Sequence, residues 1–264
     1  FKIRSKIILR ISGLPKLNII RKFFWHFVLR KVNIITTPTV ATKEHLQKET
    51  MLISGTDGEK MSKSRGNFYT ADQLIDELGY SVDQVRYFLS LLSLPEKNSN
   101  LDFETFKQRN EFLAGPMNAA FEKTISACHK KFGGVVPEGN LIGKTQKETK
   151  KIFQTYLKMM EKGDFPKILF MIENYARIIN GLFAQFKPHD DRHDEGERKD
   201  ALFSSFYILK NVMIMLHPFV PETMEKLRST LNLPESVYSI NEFVKEIPGG
   251  HRINAQESYF PKVD

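Results

Sequence analysis

Cysteine is almost absent from this sequence, since Cys128 is the only one among 264 residues. The chain therefore has no partner for a disulfide and too few thiolates for a Cys-rich zinc site, which favours a reducing compartment. Long apolar runs are also missing, because none reaches the roughly 18 residues that a membrane span needs. The basic beginning has a polar break after about six residues, too soon for the hydrophobic region of a secretory signal. We predict a cytoplasmic protein with no zinc site and no membrane partner.

Acidic residues are scarce in one part of the chain. Residues 1–50 contain 11 Lys and Arg against 2 Asp and Glu, a net charge of +9, whereas the rest of the chain has a net charge of −1. The overall charge of +8 therefore comes from the first fifth of the sequence. Because the remainder lacks a uniform basic field, a nucleic acid bound there must meet local basic patches.

The first fifty residues have the pattern of a partial βαβ unit. The stretch SKIILRIS is rich in strand formers, GLP interrupts it, KLNIIRKFFWHFVLRK is basic and amphipathic, and VNIITTPT is a second apolar strand. A buried parallel strand needs neighbours on both sides. Too few strands follow to complete a doubly wound sheet, so the unit is predicted to be incomplete.

Beyond residue 51 the pattern is mainly helical. Thr70 with Gln73, and Ser81 with Gln84, form two capping-box patterns, each at the start of a short amphipathic helix. Longer helices are predicted over residues 101–132, 145–161, 165–187 and 197–217. A shorter helix follows, and Pro221 opens it at the first turn.

Two breaks in this helical pattern are predicted. Gly115 and Pro116 lie in the middle of the segment 101–132. An interior proline costs a helix about 3 kcal/mol, so a break or kink is expected there. The tail IPGGHRINAQESYFPKVD has no sustained period and is expected to pack as an extended strap.

A compact run of lysine, serine and glycine, GEKMSKSRGN, occupies residues 58–67. Lysine ammonium groups on a glycine-flanked loop suit phosphate oxygens, and serine hydroxyls add hydrogen-bond donors. Such a loop can neutralise the charge that builds on a polyphosphate when pyrophosphate leaves. A solvated surface turn is the alternative interpretation of the same composition.

Five consecutive residues of this loop, Lys60, Met61, Ser62, Lys63 and Ser64, spell KMSKS, the second signature of class I aminoacyl-tRNA synthetases. The stretches SRGN, YSVDQVRYFLS, LDFETFKQRNEFLAGPMNAA, KKFGGVVPEG, LHPFVPETMEKL and PGGHRINAQESYFPK resemble the end of bacterial methionyl-tRNA synthetases. The resemblance covers residues 51–264. Leucine and cysteine synthetases of the same class are poorer matches.

The resemblance implies an ATP-binding role for all five KMSKS residues, with Mg²⁺ accompanying the nucleotide. Lys63 would be the principal contact to the ATP phosphates while the methionine carboxylate attacks the α-phosphate, and Lys60 would help it. These two lysines are the expected catalytic residues.

The other half of the family's active site is not found in residues 1–50. The HIGH signature, the methionine pocket and the zinc knuckle should precede the loop. Residues 1–50 contain no HIGH motif, and their only histidines are His26 and His45. His26 lies in FFWHFVLRK, which is typical of an aromatic helix face. The chain alone is therefore expected to be inactive, with a separate polypeptide as the source of the HIGH half.

In this family a helical bundle reads the CAU anticodon of tRNA(Met), chiefly through an Asn and an Arg four residues apart and a Trp after a Lys-Pro pair. Aligned on FGGVVPE, these positions fall on Ala119, Lys123 and His189, and Asn118 lies one residue from the first. Alanine offers no hydrogen bond, lysine lacks the guanidinium fork, and histidine stacks over a smaller area. An exposed helix lysine and a loop histidine in the polar connection HDDRHDEGERKD are the alternatives.

Residues 1–50 do not resemble the synthetase segment expected before the loop and are more similar to an internal piece of a GT-B glycosyltransferase. A basic patch that faces RNA or a membrane is one interpretation. A fusion or assembly remnant that ends near residues 48–51 is the other. The second is favoured, because the change in composition coincides with the loss of the expected sequence.

These patterns together predict a mainly α fold. A basic βαβ fragment at 1–50, a KMSKS loop with stem-contact region at 51–108, and an anticodon-binding-type helical bundle with a carboxyl-terminal strap at 109–264 are its expected parts. The expected function is ATP-dependent, AMP-forming methionine–tRNA ligation. A non-catalytic tRNA-binding module and an inactive fusion product are the alternatives.

Overall fold

The computed structural model describes residues 53–54, 73–91, 99–100, 103–254 and 259–263. The predicted βαβ unit, the KMSKS residues and Thr70 of the first capping-box pattern lie outside these ranges. Two short strands, β1 (Ile53–Ser54) and β2 (Ser99–Asn100), pair in parallel with Ile53 opposite Ser99.

The described residues form a mainly α fold, as predicted. A π-helical turn at Gln73–Glu77 comes first, and Gly79 after it has a φ of 77°. The α-helices are α1 (Val82–Leu91), α2 (Phe103–Phe112), α3 (Asn118–Phe132), α4 (Thr145–Lys162), α5 (Phe165–Phe186), α6 (Glu195–Leu216) and α7 (Pro221–Thr230). The outer ends of the four longer predicted segments lie within two residues of the observed helix ends, a difference of the size that fraying helix ends produce.

Side chains near in sequence set several helix ends. At α1 the Ser81 N–H donates to Gln84 Oε1 at 2.9 Å, and the Gln84 N–H donates to Ser81 Oγ at 3.2 Å. This is the predicted capping box, in which two otherwise unpaired helix donors are satisfied reciprocally. At α6 the Glu197 N–H donates to Asp194 Oδ1 at 2.9 Å.

The break predicted at Gly115 and Pro116 takes the form of a π-helical segment, Leu113–Met117, between α2 and α3. Proline has no N–H to donate to the preceding turn, and the wider π turn accommodates that loss. The Asn180 side-chain Nδ2 donates to the Pro116 carbonyl oxygen at 3.4 Å, which ties the segment to α5.

The main core forms around α6. Between Ala201 and Leu216, every residue of α6 except Ile214 is buried. Helices α3, α4 and α5 pack against it, and α3 and α4 also pack against α5. A helix that is buried on all sides lies inside a bundle, so α6 is the central element of the predicted helical bundle.

A second, smaller apolar cluster lies before the bundle. It consists of Leu74, Tyr80, Val85, Phe88 and Phe106. The Phe106 ring meets Tyr80 and Phe88 edge-on, with centroids 4.6 and 5.0 Å away. These residues fall within the predicted stem-contact region, although the proposed boundary at 108/109 lies inside α2, and the domain boundaries stay predictions.

The described parts of the tail, residues 247–254 and 259–263, form no helix, in agreement with the predicted extended strap. The Val136 N–H donates to the His251 carbonyl oxygen at 2.8 Å, and the Ile253 N–H donates to the Gly134 carbonyl oxygen at 2.9 Å. Tyr259 is buried with its ring centroid 5.9 Å from that of Phe121 on α3. The strap therefore joins the end of α3 by backbone pairing and the core by aromatic packing.

Cys128, His129 and His217 each lie in a packed or hydrogen-bonded position of the fold. Burial raises the pKa of the Cys128 thiol to about 12. His217 is buried, with its ring centroid 3.7 Å from that of Tyr238, and His129 Nε2 lies 2.8 Å from the Asn254 carbonyl oxygen. Within the described ranges, no helix has the length and apolarity to cross a membrane.

Candidate functional site

Helix α1 is the first described α-helix after the KMSKS residues. It is tied to the bundle by polar side chains along its length. Gln84 Nε2 donates to the Pro261 carbonyl oxygen at 3.1 Å, and Arg86 Nε donates to the Phe219 carbonyl oxygen at 3.1 Å. The strap and the turn before α7 therefore both hold α1, and the roles of the KMSKS residues themselves stay predictions.

Asp83 joins α1 to the beginning of α7. Its Oδ2 accepts a hydrogen bond from the Thr223 N–H at 2.7 Å, and its Oδ1 lies 3.7 Å from Arg86 Nε. The side chain is buried, and this desolvation raises the pKa of Asp83 to about 6 although both partners favour the charged form. The carboxylate thus satisfies one of the unpaired donors at a helix start.

Tyr87 joins α1 to α5. Its hydroxyl donates a hydrogen bond to the carboxylate of Glu173, and both residues are buried. Burial, together with the Glu173 charge, raises the pKa of Tyr87 well above its ordinary value. A buried carboxylate needs such a donor, because an unpaired charge in the interior is costly.

The predicted anticodon-type residues of α3 lie one turn apart. Ala119 is half-buried, whereas Lys123 is exposed and its Nζ donates to Asn180 Oδ1 on α5 at 3.5 Å. Asn118 is buried and its Nδ2 donates to Glu122 Oε1 at 2.7 Å. A shift of register by one residue would therefore replace Ala119 with a side chain that faces inward.

His189 lies in the connection between α5 and α6 and is exposed. Its ring stacks on Phe183, with centroids 6.1 Å apart and planes inclined by 7°. Phe183 lies one helical turn after Asn180, the partner of Lys123. The structure therefore brings Lys123 and His189 to neighbouring turns of α5.

Ion pairs hold the α5–α6 connection, which is polar as predicted. The two Asp191 oxygens accept from Lys131 Nζ and Arg198 Nη2, each at 2.5 Å. The hydrogen bond from Lys131 lowers the pKa of Asp191. Since Lys131 belongs to α3 and Arg198 to α6, these bonds fix the connection that carries His189 to both helices.

The sequence patterns do not single out the α5 residues of this surface. Arg177, Asn180 and Phe183 recur at three-residue spacing, the signal that places them on one side of a helix. The guanidinium of Arg177 lies 4.8 Å from the ring centroid of Phe112. An exposed ring, an ammonium and an amide on adjacent turns can stack on a base and hydrogen-bond its edge.

Comparison with known families finds a model that matches part of the chain. The family model described as tRNA synthetases class I (M) matches residues 21–123. This range contains the KMSKS residues at 60–64. It also extends into residues 21–50, which the sequence patterns alone relate to a glycosyltransferase.

Curated relatives match most of the chain. The chain is 30% identical over 220 residues to a methionine–tRNA ligase of Thermococcus onnurineus. The aligned region covers 78% of this chain and 28% of that protein. The chain is 27% identical over 244 residues to the methionine–tRNA ligase of Methanopyrus kandleri. That alignment covers 91% of this chain and 35% of the relative. The chain thus spans about a third of the length of these relatives.

Solved structures show the same fold. The chain superposes on a Mycobacterium tuberculosis methionyl-tRNA synthetase in complex with methionyl-adenylate with a TM-score of 0.70 and 21% identity, covering 78% of this chain and 42% of that one. The apo form of the same enzyme gives a TM-score of 0.66 and 16% identity, covering 74% and 41%. At these identities the likeness shows a shared fold.

Proposed function

From the premise that this chain belongs to the class I tRNA synthetases and forms a portion of a methionyl-tRNA synthetase, we propose that it serves ATP-dependent methionyl-tRNA formation. The observation that carries the proposal is the family-model match over 21–123, because that range contains KMSKS at residues 60–64. The proposed location is the cytoplasm, and the proposed RNA partner is tRNA(Met).

The proposed chemistry of Lys63 and Lys60 is electrostatic. A carboxylate oxygen of methionine bonds to the α-phosphorus of ATP, and the bond from that phosphorus to the bridging oxygen breaks, so that pyrophosphate leaves. Both ammonium groups stabilise the charge that builds on the departing phosphates, as preorganised donors do in a transition state. Mg²⁺ would neutralise part of the same charge when it accompanies the nucleotide.

A complete active site also needs the HIGH signature, which is not found in the 264 residues. Either residues that precede this sequence in a longer polypeptide or a second polypeptide supplies it. We propose that the bundle and α1 position the KMSKS side against that half, since α1 is bonded to α5, to α7 and to the strap.

The test is methionine-dependent exchange of pyrophosphate into ATP. The 264-residue chain should be inactive alone and active once a polypeptide with the HIGH half is added. Lys63→Ala should lower the exchange rate by about 10²- to 10³-fold, the loss typical of one transition-state donor. The control is Lys226→Ala, which removes an exposed lysine of α7. Exchange that is equal in the two variants would contradict the proposed role of Lys63.

A second candidate function is RNA binding without chemistry. The contacts of Lys123 with Asn180 and of His189 with Phe183 favour it, because they hold an ammonium and an exposed ring against adjacent turns of α5. A stacked base contributes about 1–3 kcal/mol to binding. His189→Ala should therefore weaken binding of a CAU anticodon stem-loop by at least about fivefold, measured by fluorescence anisotropy. Equal affinity for stem-loops with CAU and with an unrelated anticodon would overturn anticodon reading.

A further inference from the structure

Helix α4 carries a row of lysines that the proposed function does not use. Lys144 precedes its first turn, and the helix contains five more lysines within Thr145–Lys162. All six are exposed. The rest of the chain after residue 50 has a net charge of −1, so this concentration is local.

Most of these lysines share one narrow side of α4. At about 100° per residue, five of them fall within an arc of about 60°. The row, named here the lysine stripe, consists of Lys144, Lys147, Lys151, Lys158 and Lys162. At about 1.5 Å per residue the stripe is about 27 Å long.

The stripe has no acidic partners among the residues that the structure describes. The ion pairs found there use other lysines, arginines and His217. Glu148 and Glu161 lie on α4 beside the stripe, one on each side, and both are exposed. Five ammonium groups on one side of α4, none of them in an ion pair with a described residue, form a binding surface for a polyanion.

The geometry favours the phosphates of a nucleic-acid double helix. One strand of a duplex carries a charge about every 3.4 Å along its axis, so the stripe spans about eight phosphates. A membrane surface fits less well, because amphipathic membrane helices present apolar residues beside their basic ones. The larger apolar residues of α4 pack against the core instead: Ile152, Phe153, Leu157, Met159 and Met160.

We propose that the lysine stripe of α4 binds the phosphate backbone of double-stranded RNA. The inference rests on the proposed function, in which tRNA is the ligand. It concerns a different helix from α3 and α5, which carry Lys123 and Asn180, and lies apart from the α5–α6 connection that carries His189. The stripe contributes affinity without reading the sequence, because phosphate contacts position a nucleic acid and base contacts specify it.

The test compares two double variants of the full chain that lose the same charge. Lys151→Gln with Lys158→Gln removes two central lysines of the stripe, and Lys226→Gln with Lys262→Gln removes two exposed lysines elsewhere. The probe is a fluorescent RNA duplex of twelve base pairs. The slope of log affinity against log salt should fall by about 1.8 in the stripe variant, since each phosphate contact adds about 0.9.

The control variant should keep the slope of the unchanged protein. Equal slopes in the two variants would overturn the stripe proposal, as would stripe-dependent binding to vesicles rich in phosphatidylserine without stripe-dependent binding to the duplex. Circular dichroism confirms that both variants fold, which surface Lys→Gln changes allow. Failure of the pyrophosphate-exchange experiment with a positive duplex result would contradict the proposed function and leave the stripe proposal intact.

Discussion

Asp83 on α1 accepts a hydrogen bond from the backbone N–H of Thr223 at 2.7 Å, although the two residues are 140 positions apart in the chain. The contact places a buried carboxylate at the beginning of α7, where helix N–H groups lack partners within the helix. It joins the small cluster before the bundle to the bundle itself. The stability of this junction should therefore depend on pH.

Replacing Asp83 with Asn should remove one pH dependence of unfolding. The pKa of Asp83 is raised to about 6 in the folded protein, against 3.8 ordinarily. The folded state thus binds the proton more tightly, so the free energy of unfolding gains up to about 3 kcal/mol from this group as pH falls from 6 to 4. Urea unfolding of the two proteins at pH 4, 5, 6 and 7 measures it, and the difference between them should change across this window. A constant difference would show that Asp83 does not titrate in this way.

Replacing Tyr87 with Phe should destabilise the junction of α1 and α5. The change removes the donor to the buried carboxylate of Glu173 and leaves an unpaired charge in the interior. An unsatisfied buried group costs about 1–3 kcal/mol, and more when it is charged. Combining Tyr87→Phe with Glu173→Leu should cost less than the sum of the two single changes in a double-mutant cycle by denaturant unfolding. Strict additivity would argue against the pair.

Lys210 on α6 predicts the opposite pH dependence. It is buried, and its Nζ donates to the carbonyl oxygens of Glu242 at 2.6 Å and Lys245 at 2.7 Å. Burial lowers the pKa of Lys210 to about 8 from 10.5, so the unfolded state binds its proton more tightly. The contribution of Lys210 to the free energy of unfolding should therefore rise by up to about 3 kcal/mol as pH increases from 8 to 10.5.

The measurement for Lys210 is the stability of the unchanged protein relative to Lys210→Met across that pH range. Methionine keeps much of the volume but removes the ammonium donor from both carbonyl oxygens, so the variant should be less stable at every pH by about 1–3 kcal/mol or more. A variant as stable as the unchanged protein would show that the ammonium does not hold residues 242–245 against α6.

Gly79 and Gly134 have a similar positive φ, so substitutions at the two positions distinguish the cost of backbone strain from the cost of a steric contact. Gly79 has a φ of 77° and open space around a Cβ, whereas Gly134 has a φ of 74° and a Cβ there would lie 2.9 Å from His129 Nδ1. Alanine at either position should cost about 1–2 kcal/mol for the left-handed conformation. Gly134→Ala should cost more than Gly79→Ala, because His129 must also move from its contact with Asn254. Equal losses of thermal stability would contradict the close approach.

Elements set by neighbours in sequence were predictable. The capping box of Ser81 and Gln84 depends on residues three positions apart, and Pro116 disturbs its own helix because it has no N–H. The helical segments follow from the regular spacing of apolar residues, and the extended tail follows from the absence of such a spacing. For the same reason the lysine stripe of α4 is readable in the sequence as a spacing of three, four and seven residues. That these lysines form no ion pair with any described residue is not readable there.

Contacts between distant elements were not predictable. Lys123 appears in the sequence as a departure from a family pattern, and only the structure supplies Asn180 as its partner and Phe183 as the support of His189. Asn118 was an open alternative for Ala119 until its burial placed it facing inward.

The amino-acid sequence alone determined the KMSKS motif, the family likeness and the order of the helices, because each depends on which residues follow one another along the chain. The tertiary structure alone decided which charges are buried and which side chains meet, as with Asp83 at Thr223, Tyr87 at Glu173 and Lys210 at residues 242–245. Burial and long-range pairing depend on how separate helices pack. Because hydrophobic packing is not directional, the local sequence does not show which polar groups become enclosed.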